Sequence, residues 1–280
     1  GSTTANANSE WSYTVNPAFT SEGKHELTAT SQDAAGNESP ASEPFVINLD
    51  VTPPDVTNVQ LTVGPVTEDN IVNATESDGD VTLSGTLTGV PSDVSKTVLD
   101  VIVNGKHFVG TVSGETWSVN VPGSDLAADT DKQLEVVAKL IDAAGNSAVK
   151  QLAQTYLVDT TPPGPDSLLE YALMDDIGDK QGEIVAGDVT DDSKPRYVGT
   201  VVGEDVAEVR LLDNGVEIGV ATVQTDGSWW VEPASPLGAG PHSFQLQPLD
   251  AAGNAGELTP MLDFTVAGAA PAGTGHHGCV

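Results

Sequence analysis

Oxygen-bearing side chains gather in a few short stretches of this chain, at spacings that suit the coordination of a hard cation. Asp142 and Asn146 frame one Asp-Ala-Ala-Gly-Asn phrase, Asp250 and Asn254 frame another, and Asp50 and Asp159 each open an Asp-x-Thr-Pro-Pro phrase. The stretch from Glu68 to Glu76 holds Asp69, Asn70, Asn73 and Glu76. A later run carries Asp175 and Asp176, followed by Asp179, Asp188, Asp191 and Asp192. Calcium takes about six to eight oxygen ligands from carboxylates, amides and backbone carbonyls, and extracellular modules often hold it weakly. Asp and Asn in turns have a second use, hydrogen bonding to the local backbone. Residue type alone leaves both uses open.

The bulk charge agrees with a cation-binding chain. Forty-one acidic residues against ten basic ones give a net charge of −31 over 280 residues. Nucleic acid is a poor partner, because a phosphate-binding surface needs clustered Lys and Arg. An anionic membrane surface is disfavoured on the same ground. Direct membrane insertion is not expected either, since no apolar run is long enough to span a bilayer. No signal peptide opens the chain. The single cysteine, Cys279, leaves the folded part without a disulfide or thiol chemistry. His25 and His242 stand eight residues before Asp33 and Asp250, where Leu134 stands before Asp142, so that position reads as structural. His107 is isolated, and His276 and His277 beside Cys279 are too sparse a metal pattern to use. No Ser-His-Asp or Cys-His arrangement repeats, and the chain reads as a non-enzyme.

The elements that must position the acidic turns are set by a repeat. Asp-Ala-Ala-Gly-Asn begins at Asp33, Asp142 and Asp250, at intervals of 109 and 108 residues, and the Asp-x-Thr-Pro-Pro phrases begin 109 residues apart at Asp50 and Asp159. Two unrelated phrases with one period mean tandem modules. Within a period, Leu99, Val101 and Val103 alternate with polar residues, as do Leu134, Val136, Ala138 and Leu140. That period of two marks strands with one buried face. Gly in the Ala-Ala-Gly-Asn turn supplies a positive φ. No segment has a helical period. The reading is all-β: tandem immunoglobulin-like β-sandwich modules in an extended array. The boundaries predicted are a C-terminal remnant of a module over 1–50, modules over 51–158 and 159–267, and a disordered tail over 268–280. The Thr-Pro-Pro joints should be short and semi-rigid. Trp11, Trp117 and Trp229 recur at one strand position and are expected in cores, whereas the additional Trp230 should face outward. The remnant lacks sheet partners and should pack poorly.

Trp-Ser-Val-Asn-Val-Pro at Trp117–Pro122, with the Asp-Ala-Ala-Gly-Asn turns and the Asp-x-Thr-Pro-Pro joints, resembles the bacterial Ig-like repeats of giant type I-secreted, RTX-type and biofilm-associated adhesins. The resemblance covers nearly the whole chain. It implies a secreted, cell-attached stalk whose modules bind structural Ca2+ near their joints. An Ig topology would place the loop with Asp69, Asn70, Asn73 and Glu76 at the bottom of its module, beside Asp159 of the outgoing joint. The turn with Asp250 and Asn254 would face the same joint from the next module. Asp50, Asp142 and Asn146 would meet at the earlier joint. Asp175 and Asp176 follow a different wording, suited to an ion inside the module or one at the following joint.

The expected function is therefore a calcium-stiffened stalk at the bacterial surface, supporting adhesion or biofilm formation. Its partners would be neighbouring modules of the same chain, and a host or matrix ligand would be met through a separate tip. The competing reading is an Ig-like module that itself binds carbohydrate or protein, with Trp230 as its contact, and an accessory module of a secreted polysaccharide-degrading enzyme is a third.

Overall fold

A computed structural model describes residues 1–168, 170–178, 181–203 and 205–268. Its first part is a lone antiparallel hairpin of β1 (Gly23–Leu27) and β2 (Phe45–Leu49). Two strands cannot enclose a core, and no apolar side chain here is fully buried. Trp11 is 60% exposed and Phe45 is 68% exposed. The expectation that Trp11 anchors a core like its counterparts is thus corrected: no facing sheet covers it.

The second part is built from β3 (Gln60–Leu61), β4 (Ile71–Val72), α1 (Ala74–Ser77), β5 (Asp80–Thr88), β6 (Val94–Val103), β7 (Lys106–Ser113), β8 (Thr116–Pro122), α2 (Gly123–Ala128), β9 (Gln133–Asp142), β10 (Ser147–Thr155) and β11 (Leu157–Val158). Seven strands hydrogen-bond in the order β10-β9-β6-β7-β8-β5-β3. The sheet folds over at β7, which pairs with β6 through Lys106–Gly110 and with β8 through Thr111–Ser113. Gly110 sits at that crossover, where a Cβ would come within 2.4 Å of the Leu99 side chain. Between the two layers lie Leu83, Leu99, Val101, Trp117, Leu134, Val136 and Leu140, all buried, those of β6 and β9 at the alternate positions predicted.

The third part comprises β12 (Glu170–Asp175), β13 (Gly182–Ile184), β14 (Val189–Thr190), β15 (Arg196–Thr200), β16 (Glu208–Asp213), β17 (Val216–Thr222), β18 (Ser228–Val231), β19 (Gly240–Leu249) and β20 (Leu262–Val266). Here the layers are separate sheets, β13-β12-β15-β18 and β14-β20-β19-β16-β17. Their core holds Leu173, Tyr197, Leu211, Trp229, Phe244, Leu246 and Phe264. Both parts share three devices of the sandwich. A short early strand pairs in parallel with the last one, β4 with β11 and β14 with β20. An Asn-Gly hairpin, Asn104-Gly105 and Asn214-Gly215, has positive φ at both residues, the turn whose twist matches the strands. And the core Trp lies opposite a glycine on the neighbouring strand, Trp117 against Gly85 and Trp229 against Gly199.

The fold is all-β with two short helices that hydrophobic period could not reveal. The first owes its four residues to a capping box: the Asn73 side chain accepts from the Glu76 N–H, and the Glu76 carboxylate accepts from the Asn73 N–H. The second leads to a buried polar lock. The Tyr156 hydroxyl lies 3.0 Å from the Leu126 carbonyl and 2.9 Å from Asp129 Oδ2. Lys132 closes it from the other side, donating to the backbone carbonyls of Ala127 and Asp129. Burial first, and then Asp129, push the Tyr156 phenol far above its usual range.

Candidate metal centre

The Asp-Ala-Ala-Gly-Asn turn is one local structure made three times. In each copy the Asn backbone N–H donates to Oδ1 of the Asp and the Asn side-chain amide donates to Oδ2. The distances are 2.9 and 2.8 Å for Asp33–Asn37, 2.9 and 2.9 Å for Asp142–Asn146, and 2.8 and 2.7 Å for Asp250–Asn254. The Asp33 copy is exposed and builds the turn all the same, so turn-making is the first job of these residues. These bonds hold the Asp33 carboxyl below its usual range. At Asp142 burial opposes ionisation most strongly, yet the bonds from Asn146, Gly145 and Ala144 together outweigh it.

Two copies acquire a second job because a linker runs past them. Asn146 also donates to the Asp50 carbonyl at 3.1 Å, and Asn254 donates to the Asp159 carbonyl at 2.8 Å. Asp50 and Asp159 themselves cap their linkers, accepting from the N–H of Thr52 and Thr161 at 3.1 Å each. At the Asp159 joint the neighbouring loop reaches in as well. The Asn73 amide donates to the Ala252 carbonyl at 3.0 Å, and the Ala74 N–H donates to Asn254 Oδ1 at 2.7 Å. Asp250, Ala252 and Asn254 are all buried there.

One carboxylate oxygen each from Asp159, Asp205 and Asp250 lies within 4.8 Å of the other two. Two oxygens on opposite sides of a calcium ion stand about 5 Å apart at most, given bond lengths of about 2.3–2.6 Å. The spread therefore fits one ion, and an all-oxygen donor set suits calcium. Desolvation raises the Asp205 carboxyl above its ordinary range, and the charges of Asp159 and Asp250 raise it further. A cation among them would relieve that repulsion.

Of the residues singled out from sequence, the structure brings Asn73, Asp159, Asp250 and Asn254 to one joint and Asp50, Asp142 and Asn146 to the other. It does not bring Asp69, Asn70 and Glu76 to the carboxylate cluster. Asp69 accepts from the Thr67 hydroxyl and the Ile71 N–H, Asn70 ties Val66 to Thr155, and Glu76 caps its helix. Asp205 was missed. It lies in the loop between β15 and β16, where Asp205-Val206 leads toward β16 as Asp93-Val94 leads into β6. That shared Asp-Val pair was the signal that could have found it.

Asp175 and Asp176 belong to a different cluster, at the other end of the third part. Asp175 is buried, accepting from the Thr190 hydroxyl at 2.5 Å and the Ile177 N–H at 3.2 Å. Asp192 is 3% exposed. Burial holds its carboxyl above the usual range against the N–H groups of Lys194 and Asp176, and the charges of Asp175 and Asp176 add to the rise. Asp179 lies outside the described residues.

His107 and His242 serve structure. His107 Nδ1 lies 2.6 Å from Asp100 on the adjacent strand. His242 has Nδ1 2.7 Å from Asp213 and Nε2 2.8 Å from the Gly238 carbonyl, so neither nitrogen is free to take a proton from a nucleophile. Trp230 faces outward, with the Arg196 guanidinium 4.6 Å from its ring centroid.

A model of the bacterial Ig-like domain matches residues 1–51 and 171–267. No curated protein matches the chain. Among solved structures, a calcium-stabilised adhesin with which an Antarctic bacterium reaches out and binds ice is 27% identical, with a TM-score of 0.52. The match covers 95% of this chain and 62% of that one, so this chain spans less than two thirds of its relative. A bacterial immunoglobulin-like domain from the M. primoryensis ice-binding adhesin is 39% identical over 35% of this chain and 95% of its own, with a TM-score of 0.32.

Proposed function

This chain belongs to the family of bacterial Ig-like domains, and from that premise we propose that it is a stalk segment of an extracellular bacterial surface adhesin, stiffened by calcium at the joint between its second and third modules. The modules, 51–158 and 159–267 after a partial module over 1–50, hold neighbouring modules in line rather than bind the target, which a separate tip would meet. The observation that carries this reading is the convergence of Asp159, Asp205 and Asp250. They come from a linker, a loop and a turn, and only the assembled joint puts them together. The same joint already carries hydrogen bonds from Asn73 and Ala74 to the turn of the next module. An ion there would neutralise the carboxylates and lock the linker against the turn. A calcium-stabilised adhesin among the similar structures points the same way. Adhesion or biofilm support at the cell surface follows from the role of such stalks.

Calcium titration of the purified chain, followed by melting temperature, tests the site. Wild type should melt higher in calcium than in chelator, and D205N should lose part of that gain while folding normally. If ions at about ten times the dissociation constant occupy the site, the gain is about 1.4 kcal/mol. Equal calcium gains in wild type and in D205N would remove the joint site from the account.

A further inference from the structure

We propose that the exposed sheet face around Trp230 in the third module binds a neutral polysaccharide, with one pyranose ring stacked on the indole. The strands β12, β15 and β18 turn Leu173, Tyr197 and Trp229 into the core, so the residues between them face out. Register sets Ala172 beside Val198 and Val198 beside Trp230, one apolar row across three strands. Trp230 is 55% exposed and Val198 is 38% exposed. The fold does not require this row. In the second module Gly85 and Trp117 pair as Gly199 and Trp229 pair here, and the same register puts Ser84 and Ser118 at the places of Val198 and Trp230. Two residues along, the Thr82 hydroxyl donates to Asn120 at 2.8 Å, where the third module has Arg196 and Glu232. One module carries a polar face there, and the other carries an apolar row with a charged pair at its edge.

Charge selects the occupant. The Arg196 guanidinium lies 4.6 Å from the Trp230 ring centroid and takes one face of the indole. A cationic ligand therefore loses its attraction to that face and meets a like charge. An anionic polymer meets the field of a chain with a net charge of −31. A protein partner needs an interface of about 1,000 Å² in total, half from each side. A tryptophan supplies about 150–250 Å², and the row adds only Ala172 and Val198 to it. A neutral pyranose with equatorial hydroxyls meets all three limits. Its ring face presents C–H groups, which stack as apolar surface on the open side of the indole. Its hydroxyls leave at the rim, where Arg196 donates and Glu232 accepts. On the other side of the row, Thr200 and Ser228 add a pair of hydroxyls two residues along the same strands.

Affinity electrophoresis of the full chain tests this, at fixed excess calcium, in native gels without polymer, with hydroxyethylcellulose (a neutral β-1,4-glucan derivative) or with alginate (a polyuronate). Wild type should be slowed by hydroxyethylcellulose and not by alginate. W230S and R196T bring in the residue types that the second module carries at these places, and both should melt as wild type does. W230S should raise the apparent Kd for hydroxyethylcellulose at least about tenfold, and R196T should raise it as well. R196T carries the test should W230S melt low. Wild-type mobility unchanged by hydroxyethylcellulose, or slowing retained in both variants, would overturn the proposal. Slowing by alginate instead would also overturn it, by assigning Arg196 to carboxylates. A concentration-dependent dimer in sedimentation that W230S abolishes would overturn it too, by giving the face to a second copy. This face shares no residue with the joint, so none of these outcomes bears on the calcium gain that D205N reads.

Discussion

At the scale of single residues, these side chains build turns first, and the ion proposed for the joint would be their second use. The Asp33 turn shows the first job alone, and the Asp250 turn shows it beside a linker, where the Asn254 amide is shared between Asp250 and Asp159. Asn254→Ala should therefore cost about 1–3 kcal/mol, because it strips partners from buried acceptors; urea melts monitored by tryptophan fluorescence would measure it. Tyr156→Phe should cost about 1–2 kcal/mol by removing the hydroxyl from buried Asp129, measured in the same way. His242 gives a pH signature. Burial opposes its charge, but the Gly238 carbonyl and Asp213 outweigh burial and raise the ring above its usual value. A raised folded-state value means stabilisation that is full below about pH 6.5 and is lost as pH rises through the folded-state value. Wild type should melt higher relative to His242→Gln at about pH 5.5 than at about pH 8.5. A difference independent of pH would contradict that assignment.

At the scale of elements, the glycine opposite each core tryptophan makes room for the ring against the neighbouring strands of its own sheet. A Cβ on Gly85 would lie 2.0 Å from the Thr62 carbonyl oxygen and 2.8 Å from the Trp117 ring, and one on Gly199 would lie 2.6 Å from both the Glu170 carbonyl oxygen and the Trp229 ring. Backbone cannot yield as a side-chain tip can. Gly85→Ala and Gly199→Ala should each destabilise by about 1–3 kcal/mol, seen as a lower denaturation midpoint. Much of this level was legible in the sequence. Alternation in 99–103 and 134–140 located β6 and β9, and a shared period located the turns and joints. What was illegible depends on what lies across the fold. Trp11 shares its position with Trp117 and Trp229, yet it is exposed because the burial of a tryptophan depends on the opposite sheet. Asn73 and Glu76 read as a ligand pair, but their spacing of three is also that of a capping box, and α1 is what they make. Asp205 shares only a two-residue Asp-Val pair with Asp93 of the module before, too short to stand out; the assembled joint singles it out. The burial of Asp192 likewise comes from packing, since its neighbour Asp191 is exposed.

At the scale of the whole molecule, the net charge of −31 sets the problem that the joints have to solve. Self-repulsion opposes compaction of such a chain, and carboxylates facing one another across a joint would also push it open. Among the described residues, no helix is long and apolar enough to cross a membrane. Monovalent salt screens charge over about 8 Å at physiological strength, so it should relieve the general repulsion without replacing the calcium proposed for the three carboxylates. The claim that calcium stiffens the joint is tested most directly by small-angle X-ray scattering of the full chain, in calcium and in chelator, at fixed high monovalent salt, for wild type and for D159N/D205N. The account predicts that chelator leaves the wild-type modules folded but makes the chain measurably more flexible, and that the double variant is flexible in both conditions. Scattering curves for wild type that superimpose with and without calcium would contradict it.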